Sequence, residues 1–215
     1  MFIRQNEKSG IDNRIKKMLF YFLAGLLGGC VSSLHPLYTD KDIVFEEKLL
    51  GDWKVDDQKW EFEKGADPNS YKLIVTDNHG KGSFHTHLVK IDDMLFLDMY
   101  ASNPEELKSC ELWEFHILPV HTFWKVEQLE PAPKIRAMNA DRMGKMLKTD
   151  PNLIEHEVLE DDRIVLTAST EELQKFMVKH ADDEELFGDV MEFERLKIKD
   201  ANEPNEPKTK DPNES

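Results

Sequence analysis

Tyr71-Lys72-Leu73-Ile74-Val75-Thr76-Asp77-Asn78-His79-Gly80, continued by Lys81-Gly82-Ser83-Phe84-His85-Thr86-His87-Leu88-Val89-Lys90 and, past Asp92-Asp93, by Met94-Leu95-Phe96-Leu97-Asp98-Met99-Tyr100, is the stretch that decides the fold. Tyr71, Leu73 and Val75 alternate with Lys72, Ile74 and Thr76, the period of a strand with one apolar face. Asp77-Asn78-His79-Gly80 supplies turn residues, Ser83–Lys90 is a second strand, and Asp92-Asp93 is a short turn. Met94–Tyr100 follows as a third strand, with Leu95, Leu97 and Met99 on one face. Strands spaced about ten residues apart, with Asn, Asp and Gly at the joints, predict a mainly β, antiparallel up-and-down meander, as in a barrel or an open sheet or sandwich.

Outward from this centre the pattern continues. Trp60 and Phe62 alternate with Glu61 and Glu63. Phe45–Leu50 reads as a short helical or turn segment ahead of Gly51-Asp52-Trp53. Glu111–Ile117, Thr122–Leu129 and Lys134–Met138 are further expected strands, interrupted by Pro119, Pro131 and Pro133. Asn139 is placed to cap a short helix whose Met143, Met146 and Leu147 share a face. A hairpin follows, Leu153–Leu159 and Arg163–Ala168, turning at Glu160-Asp161-Asp162. Ser169 and Glu172 have capping-box spacing, and Leu173, Phe176, Met177 and His180 stripe the next helix. Asp182-Asp183-Glu184-Glu185 reads as an acidic cap at a helix start. Val190–Leu196 is the expected last strand.

The N-terminal region carries a different signal. Met18–Leu27 is an apolar run of ten residues behind Lys16-Lys17. A membrane-spanning helix needs about 20 such residues, so length and flanks match the hydrophobic core of a secretory leader. Leu27-Gly28-Gly29-Cys30 then resembles a bacterial lipoprotein processing site, or lipobox. The resemblance implies a signal peptide over 1–29 and a membrane-embedded diacylglyceryl group on Cys30. Val31 in the next position, where an Asp commonly marks inner-membrane retention, resembles an outer-membrane address on the periplasmic face. An uncleaved anchor with an incidental Cys is the competing reading. Val31–Asp42 is expected to be an extended tether; at about 3.3 Å per residue it would reach about 40 Å.

The whole chain has 28 Lys/Arg and 43 Asp/Glu, and the leader holds five and two of them, leaving a net charge of −18 beyond it. Such a surface repels phosphate backbones and excludes nucleic acid as a natural partner. It also repels anionic headgroups, so attachment would rest on the acyl chains. The tail 198–215, rich in Pro, Asn, Glu and Lys, is expected to be disordered, which leaves 43–197 as one domain large enough for its own core. The chain has two cysteines; acylation of Cys30 would leave Cys110 without a disulfide partner, as a buried small hydrophobe.

The order of elements resembles the lipocalin (calycin) architecture: a short helical segment, Gly51-x-Trp53 heading the first strand, a meander, a late helix and a closing strand. The resemblance spans Phe45 to Leu196, but Gly51-x-Trp53 is its one recognisable motif. The family's second motif has no counterpart, and the short helix after Asn139 is an insertion. It implies a barrel with Trp53 closing its base, Gly51 allowing the tight approach to the first strand, and an interior able to take a small apolar ligand. Trp60, Phe62, Tyr71 and Phe96 are the candidates to line that interior, or else to fill it. No cofactor is implied.

Among polar motifs, His85-x-His87 puts two imidazoles on one strand face at a spacing that suits zinc, with His116, His121 or Asp98 as nearest third ligands. A solvent-facing polar ring explains the same pair. Glu155-His156-Glu157 offers two carboxylates on one face for acid–base work, although the adjoining acids mark a solvated edge. Gly80-Lys81-Gly82-Ser83 lacks the spacing of a phosphate loop and reads as a hairpin turn. Two functions therefore remain. One is a non-catalytic envelope lipoprotein binding a small apolar ligand; the other is a structural or interaction lipoprotein with a filled barrel, docking a basic envelope partner.

Overall fold

A computed structural model of the chain describes residues 31–102, 118–160 and 162–196. The leader 1–29, Cys30, Cys110, the expected strand Glu111–Ile117 with Trp113 and His116, and the tail 198–215 lie outside them. The meander forms as the sequence predicts. Its strands are β3 (Gly51–Val55), β4 (Gln58–Lys64), β5 (Ser70–Thr76), β6 (Lys81–Ile91), β7 (Met94–Ala101) and β8 (His121–Gln128). Asp56 and Asp92 take positive φ in the two-residue turns that join β3 to β4 and β6 to β7, which short polar side chains tolerate. Asp77 Oδ1 accepts the backbone N–H groups of His79 and Gly80 at 2.8 and 3.0 Å, locking the β5–β6 turn.

Around the meander lie β1 (Ser32–Ser33), β2 (Ile43–Val44), β9 (Lys134–Ala137), β10 (His156–Val158), β11 (Ile164–Leu166), β12 (Met191–Glu192) and β13 (Glu194–Arg195). All belong to one sheet, in the order β10-β11-β1-β8-β7-β6-β5-β4-β3-β13. On its flanks β2 pairs with β6, β9 with β8 and β12 with β9. Pairing is antiparallel except between β1 and β11. The sheet order has two ends, β10 and β13.

Two α-helices complete the domain among the described residues. In α1 (Ala140–Thr149) the Asn139 side chain accepts the Arg142 N–H at 3.0 Å, as the capping rule predicts. In α2 (Thr170–Lys179) Ser169 and Glu172 form a complete capping box. The acidic run Asp182–Glu185 does not start a helix, contrary to the sequence expectation. Asp183 Oδ1 instead accepts the N–H groups of Glu185 and Leu186 in a turn, and its other oxygen binds Arg142 at 2.8 Å.

The central strands bury both faces. Leu88 and Val89 are neighbours in β6, Phe96 and Leu97 in β7, and all four are fully buried. Leu88 and Leu97 join Trp53, Trp60, Phe62, Tyr71, Leu73, Ile135 and Phe193 in an inner cluster. Val89 and Phe96 join an outer cluster with Met143 and Leu147 of α1, Leu173, Phe176 and Met177 of α2, and Val31 and Leu37. Phe193 stands edge-on to Trp60 and Trp53, with ring centroids 5.3 and 6.3 Å away.

Gly51 has a φ of +118°, and a β-carbon there would lie 2.9 Å from Arg195 Nη1. The positive φ requires glycine where the chain turns into β3, and a side chain would also push Arg195 off its position. The indole N–H of Trp53 donates to the Leu49 carbonyl at 2.8 Å, tying β3 to the 3-10 turn Glu47–Leu49, and Arg195 stacks over the indole at 4.3 Å.

A second expectation is overturned. Val31–Asp42 is not a free extended tether. Ser32 and Ser33 pair with both β8 and β11, and Val31 and Leu37 are buried. Pro36 O and Leu37 O accept from Thr170 and Gln174 of α2 at 2.8 and 2.9 Å. The segment covers apolar surface that β7, β8 and α2 cannot cover alone.

Replacing Phe193 by Ala is expected to cost about 3–5 kcal/mol, the usual range for emptying a buried aromatic site. Replacing the exposed Leu118 should stay within about 0.5 kcal/mol. Urea unfolding of both variants checks this; a Phe193→Ala cost under about 1 kcal/mol would contradict the inner packing.

Candidate functional site

The candidate ligand-lining aromatics separate between the two clusters. Trp60 packs edge-on against Trp124 at 5.7 Å as well as Phe193, and Phe62 against Tyr71 at 6.2 Å. The Tyr71 hydroxyl donates to the Glu46 carbonyl at 3.1 Å and accepts the Glu46 N–H at 2.6 Å. Burial pushes its pKa up to about 12. Phe96 projects from the other face and meets Phe187 at 6.3 Å. Trp60, Phe62 and Tyr71 thus act as packing, and Phe96 belongs to a different core.

The polar candidates do converge. Strand register sets His85 opposite Tyr100 and Tyr100 opposite His121, with His87 opposite Asp98. All therefore occupy the outer face of β6, β7 and β8 beside the segment 31–42. Asp98 is 1% exposed and uses both oxygens. Its Oδ1 accepts from His121 Nδ1 at 2.6 Å, and its Oδ2 accepts the Leu37 N–H at 2.7 Å. Aromatic contacts extend the cluster: Tyr38 on His87 at 4.3 Å, His85 on His87 at 4.7 Å and Tyr100 on His121 at 4.6 Å. His85 Nε2 lies 3.5 Å from Asp67 Oδ2, too far for a good hydrogen bond.

Burial lowers the His87 pKa below the usual imidazole range; a charge on His85 adds to this, and Asp98 and Asp67 oppose it. The Tyr38 hydroxyl is pushed up to about 12, first by burial and then by Asp98. Chemically the cluster is a pin. A buried carboxylate joins a ring on β8 to a backbone N–H of the N-terminal segment, and its two partners offset the desolvation of the charge.

His85-x-His87 therefore meets Asp98 and His121, two of its expected companions, but Asp98 is already committed to His121 and Leu37. Among the described residues no group of three or more His, Cys, Asp or Glu is placed to hold a metal ion. Sequence reasoning missed Leu37 and Tyr38, because a polar segment with one proline reads as a linker. The apolar pair after Pro36 was the available signal.

Elsewhere, Glu155 and Glu157 are exposed, and His156 Nδ1 donates to the Ile154 carbonyl at 2.9 Å. A groove of about 760 Å3 opens beside them, between β10 and α2, lined by Ile154, His156, Thr167, Phe176 and His180. Among the described residues no helix is long and apolar enough to cross a membrane. Comparison with family models, curated proteins and solved structures finds no match to this chain.

The lowered His87 pKa has a definite sign. Well above the unfolded value of about 6.5 both states are neutral at this residue; as pH falls through it the unfolded chain takes up a proton that the folded chain resists. Stability should therefore fall as pH drops from about 6.5 towards the folded pKa. His87→Gln, which cannot titrate, should reduce that fall, leaving a remainder from His180, whose pKa burial also lowers. Urea midpoints between pH 7.5 and 5 test it; equal slopes in both proteins would remove His87 as a source.

Proposed function

We propose that the chain is a lipid-anchored, non-catalytic envelope protein whose lipocalin-like barrel is filled, and that it works by docking a basic partner. The observation that carries this reading is the inner cluster. Trp53, Trp60, Phe62, Tyr71 and Phe193 are each at most 3% exposed and pack on one another. An apolar ligand would have to displace these side chains, which makes the ligand-binding alternative the lesser reading.

The barrel is supported by the segment Met191–Arg195. Its first two residues pair with β9 and its last two with β3, bringing together the flanks of the meander. Trp53 beneath the Glu47–Leu49 turn suits the role that Gly51-x-Trp53 implies. The net charge of −18 beyond the leader favours a cationic partner, held by contacts that salt weakens.

The lipobox and the packed Val31 together imply a close attachment. A diacylglyceryl group on Cys30 would be one residue from the folded domain, so the domain would sit against the bilayer and not at the end of a long tether. The leader and Val31 support the periplasmic face of the outer membrane.

Two measurements on the full-length chain, produced in its own host, test the reading. Wild type should fractionate with membranes, and Cys30→Ser should be released; retention of the variant would refute the anchor. Native mass spectrometry of the detergent-purified wild type should give the mass of the acylated chain alone. A co-purifying apolar small molecule would refute the filled interior.

A further inference from the structure

Among the described residues the end strand β10 has one neighbour, β11. Leu159 N–H donates to Arg163 O at 2.9 Å and Thr167 N–H to Glu155 O at 3.0 Å. In an antiparallel ladder these bonds turn the backbone groups of Glu155, Glu157 and Leu159 towards β11. Those of His156 and Val158 then face the open edge. Val158 is 54% and Leu159 41% exposed, unusual for apolar residues at the rim of a sheet. Of the devices that blunt such an edge, β10 has shortness and the charge of Glu157 but no Pro or Lys; a strand of opposite charge meets no repulsion there.

Two recesses border the strand, one beside each helix. One is the 760 Å3 groove towards α2, lined by Glu155, Glu157 and Glu172 together with Lys179 and with Lys175, which is paired to Glu171. The other, about 420 Å3, lies towards α1 and includes Gly144, Leu147, Val158 and Ile164. His156 borders both. A backbone ladder flanked by recesses for alternate side chains is the geometry of strand addition.

We infer that an extended segment of a partner protein, with apolar and basic residues in alternation, adds to the free edge of β10 as a further strand. Its apolar side chains extend the outer core beside Leu147, Val158 and Ile164. Its Lys or Arg side chains meet the exposed Glu155, Glu157 and Glu160. A second copy of this chain is the poorer occupant, since each copy would bring the same acidic edge. The inference rests on the docking reading above and locates its site.

Val158→Pro is the decisive variant. It removes an N–H that faces the open edge, so the β10–β11 ladder keeps its bonds, and it restricts Glu157 to the extended conformation that residue already has. The probe is a fluorescent, capped octapeptide of alternating Val and Lys, with alternating Val and Glu as control. Both are titrated into the full-length detergent-solubilised chain and followed by polarisation and hydrogen exchange.

The Val-Lys peptide should bind, protect the backbone around 156–158 and weaken with salt; Val158→Pro should lose about tenfold or more in affinity with an unchanged melting midpoint. If Val158→Pro unfolds, Glu157→Lys with an intact melt serves in its place, with the same loss expected. Val-Lys binding that is insensitive to both variants and protects another region would overturn the edge site while leaving the docking reading standing. No Val-Lys binding even at low salt would overturn both. Equal binding of the Val-Glu peptide, or a dimer held through β10 in sedimentation, would overturn the basic partner.

Discussion

Everything in this molecule follows from the need to cover both faces of β6, β7 and β8. A sheet with one wet face needs one apolar layer against it. Here adjacent residues, Leu88 with Val89 and Phe96 with Leu97, are all fully buried, so each face demands its own cover. At about 25 cal/mol per Å2 of apolar surface, leaving either face in water would cost more than the few kcal/mol by which a domain of this size is stable. Curling the sheet covers the inner face with the side chains of β3, β4, β5, β9 and the segment Met191–Arg195. The outer face cannot be covered by the sheet itself, and α1, α2 and residues 31–42 exist to do it.

The N-terminal segment does this with little apolar material, and so it depends on Asp98. Val31 and Leu37 are its main apolar contributions, flanked by serines, a histidine and a proline. Burying that backbone beside β7 requires partners for its polar groups. Thr170 and Gln174 take the carbonyls of Pro36 and Leu37, and Asp98 takes the Leu37 N–H. An ionised carboxylate buried with that single partner would be costly; His121 supplies the second. His121 thus serves a structural demand, and His85-x-His87 lies beside the pin because strand register puts it there.

The sequence made the meander legible because its signals are local: alternation over Tyr71–Thr76, turn chemistry at Asp77–Gly80 and Asp92-Asp93, and the caps Asn139 and Ser169. Its failures share one cause. Phe96 was grouped with Trp60, Phe62 and Tyr71 because aromatic content carries no label of face, although the unbroken run Met94-Leu95-Phe96-Leu97 is what a strand buried on both sides looks like. The tether expectation at 31–42 failed because its order comes from residues 60 to 140 positions away, Asp98, Thr170 and Gln174. Asp182–Glu185 failed likewise: acids near an expected helix were given a helix to cap, when Arg142 and the local backbone were their partners. The convergence of His85, His87, Asp98 and His121 was legible in part, since the motif and its companions could be named but not the pairing that unites them.

The same two-sided demand narrows what the protein can do. Filling the curled sheet with Trp53, Trp60, Phe193 and their neighbours secures the inner face and uses the volume an apolar ligand would need. Helices and the N-terminal segment cover the outer face. What remains is the perimeter, where backbone groups lack neighbours. The perimeter is not uniform: at β13 the strand is short and Arg195 is held by Lys48 O and the Trp53 ring. At β10 the edge is bordered by recesses, carries exposed Val158 and Leu159, and is lined with carboxylates. On the docking reading, the free edge of β10 is where the described sheet offers backbone groups, exposed apolar side chains and carboxylates to the same partner.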